Sequence, residues 1–85
     1  MDKPDGRAAV LWRLRARHTM ATCVLQPLAV GALLTLLQDD EVVFNEAFPD
    51  THLAEARAHA LRARLEAKGW ESVPIANADR DRRRA

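Results

Sequence analysis

What this chain has little of narrows its chemistry first. One cysteine, Cys23, stands among 85 residues, so no internal disulfide can form. That fits a reducing compartment, and a cytoplasmic location is expected. The first residues also lack the basic stretch, apolar run and cleavage site of a secretory signal. The three glycines, Gly6, Gly31 and Gly69, lie far apart. No glycine-rich loop can therefore cradle a phosphate, and no cofactor is expected. Aromatic residues number four, Trp12, Phe44, Phe48 and Trp70, too few to build a broad stacking platform. The net charge is +1, so no global field draws the chain to nucleic acid or acidic lipid.

No long apolar run is present either. Residues Thr19 to Gln38 carry no charge, about the length of a membrane helix. Thr19, Thr22, Gln26 and Thr35 dilute that window, and Pro27 and Gly31 interrupt it. Its strongly apolar part, Leu28 to Leu37, is too short to cross. A membrane partner is therefore not expected.

What is present is alternation. Val10, Trp12, Leu14 and Ala16 alternate with Leu11, Arg13, Arg15 and Arg17, which places the two sets on opposite faces of a strand over 9–17. A second strand is predicted over 20–26, favoured by Thr22 and Val24 and ended by Pro27, which has no N–H to give a ladder. Residues 28–31 connect it to a third strand over 32–38. Asp39-Asp40 forms a turn, and 41–48 supply a fourth strand.

Pro49, Asp50 and Thr51 then start a helix, capped by a side-chain oxygen of Asp50 or Thr51. It runs to about Lys68. Gly69 supplies the left-handed residue that ends it, with Trp70 packing back on Leu65. Residues 71–85 read as a disordered polar and basic tail. The expectation is one α+β domain over 1–70: an antiparallel meander of three or four strands followed by one amphipathic C-terminal helix.

At 100° per residue, Ala54, Ala58, Leu61 and Leu65 form the stripe that lies on the sheet. Ala56, Ala60, Ala63 and Ala67 form a second strip of small residues, open to another helix. If Trp12, Leu14, Cys23, Leu25, Leu34, Leu36, Val42 and Phe44 face the helix, the other sheet face carries Arg13, Arg15 and Arg17 together with Val24, Leu33, Leu37 and Val43. One helix covers one face. The remaining aliphatic side chains need a second cover, and a two-fold homodimer is the commonest one. The dimer contacts expected are Val24, Leu33, Leu37 and Val43 on the sheet, or Ala56, Ala60 and Ala63 on the helix.

Chemistry-bearing clusters are sparse. His18, His52, His59 and Cys23 have no recognised metal-ligand spacing, and His52 and His59 lie about 10 Å apart along the helix, too far to share one ion. Cys23 sits mid-strand, without a base or an orienting group beside it. Asp39, Asp40 and Glu41 fall in a solvated turn. No catalytic, cofactor or metal site is assigned. The chain reads as a small non-catalytic binding or interaction module, a homodimer that could also take a protein partner. The competing reading is a single-stranded nucleic-acid-binding or regulatory protein. It would use Arg13, Arg15 and Arg17 at strand spacing, with Arg82, Arg83 and Arg84 of the tail.

Overall fold

The computed structural model describes residues 8–75. The chain forms β1 (Ala9–Ala16), β2 (Thr19–Pro27), β3 (Ala32–Gln38), β4 (Glu41–Phe48), α1 (Thr51–Ala67) and β5 (Glu71–Val73). All ladders are antiparallel, in the order β4-β3-β2-β1-β5. The α+β reading holds: the first four strands are a meander, and the helix follows them.

The fifth strand exceeds the three or four expected. It lies where the polar tail was expected to begin, pairing Arg13 with Val73, Leu14 with Ser72 and Arg15 with Glu71. Three residues are too few to show a period, so the sequence carries no signal for it. Residues 76–85, the rest of that expected tail, lie outside the described residues.

The helix is what links the two edges. β4 ends at one edge of the sheet and β5 begins at the other, about 19 Å away across four strand spacings. Seventeen helical residues span about 25 Å, enough to make that crossing. The helix therefore lies over β1 to β4 and shields one side of the sheet. Its ends follow the sequence. Asp50 accepts a hydrogen bond from the Leu53 N–H at 3.0 Å, which satisfies one orphan donor of the first turn. At the other end Gly69, at φ 102°, donates its N–H to Glu66, and Trp70 donates to Leu65 at 3.1 Å. These are the paired bonds of a Schellman stop.

The core lies between helix and sheet. Trp12, Leu14, Ala21, Cys23, Leu25, Ala32 and Leu34 of the sheet meet Ala54 and Ala58 of the helix, with Leu61, Leu65 and Trp70 packed at the margin. The buried stripe is the one the helical period selects.

Three face assignments are corrected. In β1 the register shifts between Val10 and Trp12, so Leu11 is the extra residue and packs toward the core, while Val10 pairs with Val24 on the far face. In β4 it shifts again: Phe44 pairs with Leu36, Val42 pairs with Leu37, and Val43 is the extra residue. Val42 therefore leaves the helix face. A β-bulge resets the period-two alternation, which pattern alone assumes to be unbroken. Arg17 is the third. Ala16 pairs with Thr19, so Arg17 and His18 form a two-residue turn with Arg17 at φ 56°, outside the strand.

Candidate interaction surface

The sheet's second side has no cover among the described residues. Ladder partners share a face, so it can be read in rows across the strands. One row runs Val42, Leu37, Thr22, Arg13, Val73. The next runs Asn45, Thr35, Val24, Val10, and a third holds Ala47, Leu33 and Gln26. Met20, Arg15 and Glu71 line the end beside the hairpin turns. The middle of this face is aliphatic and half-buried at Val24, Leu33 and Leu37, while Val42 is 58% exposed.

Its polar groups are partly tied down. Thr35 Oγ1 donates to Asn45 Oδ1 at 3.3 Å across β3 and β4. Arg13 is half-buried, and its Nε is shut off from solvent without an acceptor. Neither Arg13 nor Arg15 forms an ion pair among the described residues. An N–H buried without a partner is costly, so this face carries an unmet donor as well as uncovered hydrocarbon.

The structure brings together Val24, Leu33, Leu37, Arg13 and Arg15. Val43 stands apart at the β4 bulge on the sheet edge. Ala56, Ala60 and Ala63 are exposed on the helix, across the molecule from the open face. Arg17 lies at the tip of the first hairpin, and Arg82, Arg83 and Arg84 lie outside the described residues. Sequence reasoning missed Val10, Val42 and Val73 as members of this face. The two bulges hid the first two, and the unforeseen strand hid the third. All four aromatics pack on the helix side of the sheet, so none joins the arginines.

The helix side offers a different feature, an open pocket of about 300 Å³ lined by Leu11, Trp12, Glu55, Ala58, His59 and Arg62. Its polar groups are already engaged in part. Trp12 Nε1 donates to the Ala58 carbonyl at 3.2 Å, and Arg62 pairs with Glu66 at 2.9 Å while reaching Ser72 Oγ at 3.4 Å. Cys23 is fully buried, and desolvation pushes its thiol up to about 11. A thiol so raised is protonated at neutral pH, the less nucleophilic of its two forms.

Among the described residues no helix is long and apolar enough to cross a membrane; the uncharged window 19–38 is two strands and their connection. No protein-family model matches the chain, and no curated protein or solved structure is significantly similar to it.

Proposed function

We propose that the chain is a small non-catalytic interaction module that works as a homodimer joined through the open face of its sheet. The observation that carries this reading is the single-sided helix. It shields one face of a five-stranded sheet and leaves Val24, Leu33, Leu37 and Val42 on the other.

The size of the face supports the reading. Four strands at about 4.8 Å spacing and about 23 Å long give roughly 440 Å² in projection. Side-chain relief and β5 raise the accessible area toward the ~800 Å² per partner of a standard interface. Each aliphatic side chain that goes from half-buried to buried adds about 1 kcal/mol. A domain this small has a thin core, and that gain is a large share of its total stability.

The test is the solution mass by light scattering, on the wild-type chain and on Leu33→Asp. The expected result is a dimer that becomes a folded monomer on substitution. A wild-type monomer at micromolar concentration overturns the reading. Salt-dependent retention on single-stranded DNA, lost in Arg13→Ala/Arg15→Ala, would assign the same face to nucleic acid instead.

A further inference from the structure

The open face also carries a charge pattern that fixes how two copies meet. This step rests on the homodimer reading above. Because the first four strands are a meander, the turns Arg17–His18 and Asp39–Asp40 lie at the same end of the sheet. Arg15 and Arg17 sit on the β1 side of that end. Asp39 and Asp40 sit on the β3–β4 side; Asp39 lies across Met20 from Arg15, two strand spacings away, with its Oδ1 accepting the Met20 N–H at 3.0 Å, and among the described residues neither aspartate forms an ion pair with Arg15 or Arg17. At the opposite end, the 28–31 connection carries Leu28, Ala29 and Val30 and no charge. Among the described residues the carboxylates nearest that end are Glu46, in the row of buried Leu34 on the helix side, and Asp50, which caps the helix.

A two-fold dimer of stacked sheets has its axis in the plane between them. With the axis across the strands, the end of one copy that holds these charged turns lies on the 28–31 end of the other. Arg15 would then face the first residues of β1, and Asp40 the last residues of β4, where the described residues bring no opposite charge to either. With the axis along the strands, between β2 and β3, the ends stay together and left exchanges with right. β1 then lies over β4 of the second copy, and β2 over β3. Arg15 meets the Asp39–Asp40 turn twice, once in each copy, while Val24, Leu33 and Leu37 of both copies meet in the middle.

Edge pairing is the poorer alternative. β4 is bulged at Val43 and carries Glu41 and Glu46, devices that stop edge strands from adding to one another. We infer that the open face closes on a second copy of this chain about a two-fold axis parallel to the strands, with Arg15 of each copy against the Asp39–Asp40 turn of the other.

Charge exchange tests it. Arg15→Glu and Asp40→Lys are each expected to weaken the dimer about tenfold, by setting like charges opposite one another. An equimolar mixture of the two is expected to regain most of the wild-type affinity, read by sedimentation as a mixed dimer. Asp40 has φ 71°, so Asp40→Asn serves as the second variant. Asn tolerates that backbone and removes only the charge, with about threefold weakening expected. A wild-type dimer that Leu33→Asp breaks, but that neither Asp40→Asn nor the mixture alters, overturns the axis and leaves self-association standing. A monomeric wild type overturns both.

Discussion

The indole Nε1 of Trp12 donates to the backbone carbonyl of Ala58 at 3.2 Å, joining β1 directly to the main chain of the helix 46 residues later. That bond exists because Ala58 has almost no side chain to hold the sheet away; it is 2% exposed, and Trp12 is 5% exposed. The small residues that matter for close approach are therefore Ala54 and Ala58 beneath the helix, and the strip on its outer side is solvated. Ala58→Leu is expected to cost about 2–3 kcal/mol by forcing helix and sheet apart. Trp12→Phe is expected to cost about 1.5–3 kcal/mol through lost contact area and the lost donor. Urea unfolding of both variants checks this, and a neutral Ala58→Leu would show that the helix is not seated as described.

Gly31 is held by two independent constraints. Its φ is 87°, and a Cβ built there would overlap the carbonyl oxygen of Phe48 and come within 2.9 Å of the Pro49 carbonyl carbon. The β2–β3 connection thus passes against the point where β4 hands over to the helix. Gly31→Ala is expected to cost about 3–4 kcal/mol, the sum of left-handed strain and a backbone clash. Gly69 provides the comparison. Its φ is 102°, but nothing lies within 4 Å of a built Cβ, so Gly69→Ala bears the strain alone and is expected to cost about 1–2 kcal/mol. Thermal unfolding of the pair separates the two contributions. Equal losses would remove the packing role assigned to Gly31.

These two glycines also mark how far the sequence could be read. Gly69 was legible, because a glycine after a helical period has one common use. The cap at Asp50, the buried stripe Ala54, Ala58, Leu61 and Leu65, and the alternation of Trp12 and Leu14 with Arg13 and Arg15 were legible for the same reason: each is a local pattern with a local cause. Leu11 and Val43 were not. Each is the extra residue of a bulge, and nothing in an aliphatic side chain marks a bulge where no glycine stands. The open face was therefore recognised as a face, with Val24, Leu33 and Leu37 correctly on it, while Val10 and Val42 were placed on the wrong side. Ser72 and Val73 could not be assigned to a strand at all, because their pairing with Leu14 and Arg13 depends on a partner some 60 residues away.

Cys23 links the core to pH. Its side chain is fully buried, and loss of water around the thiolate raises its pKa from 9.0 to about 11. The folded state therefore holds the thiol proton more tightly than the unfolded chain does. The contribution of that preference is complete below pH 9 and is lost as the pH rises toward 11, because the unfolded chain ionises first. A shift of that size corresponds to on the order of 2–3 kcal/mol. The thiol's share is isolated by comparison with Cys23→Ala. That variant is expected to be about 1 kcal/mol less stable at neutral pH, from the small cavity it leaves, and to lose less stability between pH 9 and 11. Parallel decline of the two chains across that interval would mean the thiol is not desolvated. Alkylation supplies the second readout: the native thiol should resist iodoacetamide at neutral pH and react freely once urea opens the sheet, since the buried group is both protonated and shielded.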